Sequence, residues 1–111
     1  MKEKYAKCGL NYDYIISKFP DIYEYENTVN SYLDDDFFSQ IEDMLKDEDY
    51  ALAKDAVKGL YILAGELCLF PLYEALLEVF EDLEYETYDD VIAHYKEVIK
   101  IHKNIRGVFN A

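Results

Sequence analysis

Only 4 glycines and 2 prolines interrupt this chain of 111 residues. Between them, apolar residues recur three and four positions apart rather than two. Scarce breakers and a 3.6-residue period leave α-helices as the elements the chain can build. Apolar residues make up 51% of it, too many for a disordered chain. A chain of this length folds as a single domain, here 1–111, with a core that needs no staples. Neither an internal repeat nor a low-complexity linker divides it.

Residues 1–8 are expected as a flexible N-terminal segment. Asn11 caps a short helix over Tyr12–Lys18, with Ile15, Ile16 and Phe19 on its apolar side. Pro20 ends it, because the residue before a proline is driven out of the helical region. Asp21 caps a long helix that runs to about Lys46, roughly 39 Å at 1.5 Å per residue. Its stripe is Ile22, Val29, Leu33, Phe37, Ile41, Met44 and Leu45, and Asp34-Asp35-Asp36 marks a bend within it. The next helix spans about Tyr50 to Ala64, with Leu52, Ala56, Leu60, Leu63 and Leu67 as its core stripe and Gly65 as its left-handed end. Pro71 sits in the first turn of a helix starting near Phe70, whose stripe is Leu72, Leu76, Val79, Phe80 and Leu83. After the connector Glu84-Tyr85-Glu86, Thr87 caps the last helix, and Asp89 and Asp90 fall where the helix dipole favours acids. Val91, Tyr95, Val98, His102, Ile105 and Phe109 form its stripe. Four substantial helices joined by short loops predict an all-α, antiparallel up-down four-helix bundle with a short additional N-terminal helix.

Charge narrows the function. The chain carries 11 basic and 24 acidic residues, a net charge of −13, which leaves little for the basic patch of a nucleic-acid binder. Residues 21–50 hold 1 basic and 11 acidic residues. That segment is a solvated acidic face, a field that steers a partner, or a nucleic-acid mimic. No run approaches the roughly 20 apolar residues of a membrane span, and the first residues lack the apolar stretch of a secretory signal. Cys8 and Cys68 form neither a metal-ligand spacing nor a disulfide framework. The expectation is a reduced, cytoplasmic protein away from the membrane.

Sites of chemistry are equally sparse. There is no Ser/His/Asp arrangement, glycine-rich phosphate loop or metal-binding His/Glu spacing, and Asp34-Asp35-Asp36 lacks the spacing and glycine of a calcium loop. A non-enzyme with no cofactor, no metal and no catalytic residue is the expectation. Cys68, before Leu69-Phe70, reads as a core thiol. His102 lies within an apolar stripe and reads as structural; His94 is offset from it and partly exposed. The 12 tyrosines read as half-buried bundle residues with wet hydroxyls.

One helix face remains. Opposite the stripe of the Tyr50–Ala64 helix lie Asp55, Lys58, Gly59, Ile62 and Glu66. A glycine in mid-helix costs about 1 kcal/mol against alanine; close approach by a partner at an exposed face compensates for such a cost, and Ile62 adds an apolar spot one turn on.

Here the chain resembles the histidine-containing phosphotransfer domain family, whose signature reads roughly A-H-x-L-K-G-x(5)-G. The matching stretch is Ala53-Lys54-Asp55-Ala56-Val57-Lys58-Gly59, with Gly65 six residues past Gly59. Upstream, Gly9-Leu10-Asn11-Tyr12, then Phe19, Asp21 and Tyr23, then Asp47-Glu48-Asp49-Tyr50 follow the family pattern, so the resemblance covers about residues 9–105. It implies a four-helix bundle with a short leading helix, a role in two-component or phosphorelay signalling, and a response-regulator receiver domain or sensor kinase as partner. The chain departs from the family at one position: the phosphorylated histidine falls at Asp55. A neutral imidazole is a competent nucleophile at cell pH, whereas a carboxylate is an acceptor-only oxygen group that takes phosphoryl groups in Mg²⁺ sites. The resemblance therefore implies a non-phosphorylatable binding module that meets its partner through Asp55, Lys58, Gly59, Ile62 and Glu66. The competing readings are phosphotransfer through His94 or His102, and a structural or interaction bundle such as an acidic nucleic-acid mimic.

Overall fold

Asn11 and Asp21 act as helix caps in the computed structural model of the chain, which describes residues 1–110. Asn11 Oδ1 accepts from the Tyr14 N–H at 3.1 Å, and Asp21 Oδ1 from the Glu24 N–H at 3.1 Å. Each satisfies one of the donors that a helix start leaves without an internal partner. The described residues are all-helical: α1 Lys2–Ala6, α2 Tyr12–Lys18, α3 Ile22–Leu33, α4 Phe37–Lys46, α5 Tyr50–Glu66, α6 Phe70–Glu84 and α7 Val91–Phe109, with a 3₁₀ turn over Tyr88–Asp90. They form a rod 40 × 22 × 19 Å in extent. α5 packs along α6 and α6 along α7; α4 lies against α5 and α7, while α3 and α1 lie against α7.

Several expectations change. The long helix expected from Asp21 to Lys46 is two helices, α3 and α4. Asp35 turns its side chain onto the backbone, Oδ1 accepting from the Phe37 N–H at 2.9 Å. A short carboxylate competing for backbone donors ends one helix and begins the next. The segment 1–8, expected to be flexible, contains α1, and Tyr5 within it is completely buried. The Tyr5 hydroxyl donates to Glu26 Oε2 at 2.7 Å, Lys4 pairs with the same carboxylate at 2.9 Å, and the Tyr5 ring lies 5.1 Å from that of Phe109. Thr87 does not cap α7 through its side chain; its hydroxyl reaches back to the Asp82 carbonyl at 3.4 Å, and the 3₁₀ turn intervenes.

Helix ends hold the least legible feature. Gly65 is not the left-handed residue that ends α5. That role falls to Cys68, with φ 59°, and the Leu69 N–H bonds back to the Ala64 carbonyl at 2.9 Å. α4 and α6 close in the same way, through Glu48 and Glu86, with return bonds Asp49 N–H to Met44 O and Thr87 N–H to Asp82 O. This is the Schellman closure, usually built on glycine. A side chain there costs about 1–2 kcal/mol, which the recovered carbonyl bonds offset. Gly65 instead lies within α5, and its open side takes the Tyr73 ring: a Cβ there would stand 3.2 Å from Tyr73 Cδ2.

The core corrects the α5 register. Its buried residues are Ala53, Val57, Leu60 and Ala64, followed by Leu67, whereas Leu52 and Leu63 are half-exposed and Ala56 is intermediate. Buried tyrosines from α3 bond to α5 and to the residue that follows it. Tyr25 donates its hydroxyl to the Leu67 carbonyl at 2.6 Å, and Tyr32 to that of Leu60 at 2.6 Å. On α7, Tyr95 donates to the Phe38 carbonyl at 2.5 Å. Buried phenols need partners, so these hydroxyls are bonded inside the core rather than wet. The expected stripe of α7 is buried at every position, and that of α6 at all but Phe80, which is half-buried.

Candidate functional site

α5 presents Asp55, Lys58, Gly59, Ile62 and Glu66 to solvent together. They stay outside despite the shift in register: the shift moves the buried face toward Val57 and Ala64, away from Asp55, Gly59, Ile62 and Glu66, and Lys58 remains on the far side. Ile62 keeps 43% of its surface in water. A Cβ built on Gly59 would meet nothing within 4 Å. The glycine is therefore not required by packing within the fold, and the surface there is open to close approach. Lys54, on the flank toward α6, is committed elsewhere: it pairs with Glu84 and lies over the Phe80 ring, 5.9 Å from its centroid.

Sequence reasoning missed the feature beside this face. A groove of about 290 Å³ runs between α4 and α5. Phe37 and Met44 line one wall, Leu52 and Leu63 the other, and Asp35, Asp55 and Gly59 are part of its lining. Asp55 and Gly59 thus belong both to the exposed face and to the groove. The signal was present in the sequence, but it was read as core: Leu52 and Leu63 are apolar residues at helical spacing, and only their neighbours decide whether such a stripe is covered.

Neither histidine is placed to act as a nucleophile. His94 is clasped between two carboxylates, Nδ1 at 2.5 Å from Asp82 Oδ2 and Nε2 at 3.1 Å from Glu78 Oε1. The bond to Asp82, reinforced by the charges of Asp82, Glu78 and Asp90, holds its pKa above the usual histidine range. Both ring nitrogens are engaged by carboxylates, so neither is free to attack. His102 is buried, its Nε2 sits 2.7 Å from the Leu33 carbonyl, and its ring lies 4.3 Å from that of Phe38. Burial pushes its pKa down, and Nε2 donates to the Leu33 carbonyl in the last turn of α3. Cys8 and Cys68 are both buried, and burial raises both thiols, the opposite of what a reactive cysteine needs. Cys8 thus belongs to the core rather than to a loose terminus.

Among the described residues, no group of three or more His, Cys, Asp and Glu side chains is placed to hold a metal ion. No helix among them is long and apolar enough to cross a membrane. Comparisons with protein-family models, curated proteins and solved structures gave no match to this chain.

Proposed function

We propose that the chain is a phosphotransfer-type bundle that has given up the chemistry and kept the docking. In this reading it is an antiparallel four-helix bundle of the cytoplasm, with α1 and α2 across one end. It engages the receiver domain of a response regulator, or a sensor kinase, in phosphorelay signalling. The observation that carries the reading is the common exposure of Asp55, Lys58, Gly59, Ile62 and Glu66 at the middle of α5. The Lys-Gly pair keeps the family's spacing from position 55, and the open space at Gly59 leaves room for a partner's backbone. Asp55 puts a permanent carboxylate where the family carries its phosphoryl group. The engaged state of His94 and His102 speaks against phosphotransfer moving to either ring.

Calorimetric titration with the receiver domains encoded in the same genome, in the presence of Mg²⁺, tests the reading. At least one is expected to bind with micromolar affinity, and the double variant Lys58→Ala, Ile62→Ser to weaken it about tenfold, which is 1.4 kcal/mol. Uniform failure to bind, or equal affinity for the variant, removes the proposal.

A further inference from the structure

The α4–α5 groove is lined by side chains that nothing in the described fold covers. Leu52 is 50% exposed, Phe37 44% and Leu63 43%, with Met44 half-buried beside them. Single apolar residues at a surface are ordinary, but several sharing one concave wall mark an interaction surface. Leu52 and Leu63 are eleven residues apart on one helix, three turns or about 16 Å. Two neighbouring helices form the walls. The shape that fills such a trough is a third helix laid along it, with apolar anchors at i, i+3 or i+4, and i+7.

Charge selects the chemistry of that helix. The charged side chains in the lining are Asp35 and Asp55, and no basic residue is among them. The α4–α5 turn that closes one end is Asp47-Glu48-Asp49, all exposed. The rest of the chain adds to the same field, bringing the whole to a net charge of −13. A second copy would bring like charge against like, which opposes self-association here.

We propose that the groove binds an amphipathic helix of a partner protein whose apolar stripe is flanked by lysine or arginine. This deepens the docking reading above and rests on it for placing the partner at α5. It assigns Asp55 a specific task, a fixed anion that pairs with a basic side chain at the rim of the groove. The apolar wall supplies affinity, while the acidic rim supplies orientation and rate of encounter.

The test is a displayed library of 18-residue amphipathic helices with a leucine stripe and randomised flanks. It is selected on the wild-type protein and counter-selected on the double variant Leu52→Ser, Leu63→Ser. Both positions are half-exposed, and a melting curve verifies that the variant folds. The expected result is enrichment of lysine and arginine at the flanks, binding at least tenfold weaker to the double variant, and several-fold weaker binding to Asp55→Asn. Acidic or neutral flanks, or binders indifferent to the double variant, overturn the inference. So does a dimer at micromolar concentration that Leu63→Ser dissolves, since the occupant would then be a second copy. Ile62→Ser lies outside the groove lining and separates the two readings. Basic helices that bind it normally, alongside receivers that never bind at all, sink the receiver reading and leave this one standing.

Discussion

The hydroxyl of Tyr32 donates to the carbonyl of Leu60 across the α3–α5 interface, 2.6 Å away and out of reach of water. Two turns earlier on α3, Tyr25 makes the same bond to Leu67, two turns later and just past the end of α5. The two bonds tie α3 to the second half of α5 and its end. The buried side of α5 carries Ala53, Val57 and Ala64, packed chiefly among its neighbours α6 and α4, and Leu52 and Leu63 are left at the groove.

Tyr32→Phe removes the donor and leaves nothing stranded, since the Leu60 carbonyl keeps a lone pair for its place in the helix. The expected loss is about 0.5–1.5 kcal/mol. Tyr25→Phe should cost more, about 1–3 kcal/mol, because Leu67 lies just past α5 and its carbonyl loses the phenol as partner. Chemical denaturation of the two single variants and the double checks this. No loss in any of them would mean the bonds do not hold α3 to α5.

Leu60 and Leu63 are neighbours in sequence and opposites in environment. Leu60→Ala should cost about 2–5 kcal/mol through lost burial and a cavity. Leu63→Ala and Lys58→Ala should each stay within about 1 kcal/mol, as surface changes do. Thermal melts of the three decide it, and equal losses at 60 and 63 would refute the observed register of α5.

Gly59 and Gly65 should respond differently to alanine. At Gly59 there is open space, so Gly59→Ala should stabilise the fold by about 1 kcal/mol through helix propensity alone. At Gly65 the new methyl would press on the Tyr73 ring at 3.2 Å, which cancels some or all of that gain. If partner binding needs close approach at position 59, the stabilised Gly59→Ala variant should bind its partner more weakly. A gain in both stability and affinity would mean the glycine has no part in docking.

The two histidines make opposite contributions to the pH dependence of stability. The folded-state pKa of His94 is raised, chiefly by its bond to Asp82. Its contribution is therefore full below the unfolded value near 6.5 and is lost as pH rises through the folded value. The pKa of His102 is lowered by burial, so its contribution is present above about 6.5 and declines as the unfolded chain takes up a proton below it. The melting-temperature gap between wild type and His94→Gln should thus shrink from about pH 6 toward pH 9. A gap that widens over that range would contradict the clasp.

Asp55→His asks whether the face retains the family's geometry. Wild-type protein should take up no phosphoryl group from phosphoramidate, because a solvated carboxylate lacks imidazole reactivity. The variant should gain weak, acid-labile labelling at residue 55, since Lys58 and the open Gly59 flank the new ring. Mass spectrometry of the labelled peptide is the readout. Label on His94 or His102 of the wild type would return those residues to consideration.

How much was readable in advance varied with the range of the interaction involved. The caps at Asn11 and Asp21, the stop at Pro20, the span of α6 and the whole buried stripe of α7 were legible, because each depends on residues within a turn or two. The five exposed residues of α5 were legible for the same reason, since Asp, Lys and Glu at those spacings do not go inside. The break at Asp34–Asp36 was half-legible: the run signalled a bend, and Asp35 made it a new helix. The left-handed ends at Glu48, Cys68 and Glu86 were not legible, because residues that seldom adopt that conformation do so to recover carbonyl bonds. Nor was the burial of Tyr5, whose partner Glu26 is 21 residues away. By itself, then, the sequence determined that the chain is helical, where most helices lie, and that Asp55, Lys58, Gly59, Ile62 and Glu66 of α5 stay in water. Tertiary structure alone decided which apolar edge of α5 is covered. Leucine and alanine stripes suit a core equally well, and the helices that pack on α5, chiefly α6 and α4, with two tyrosine hydroxyls from α3 bonded to it, choose between them.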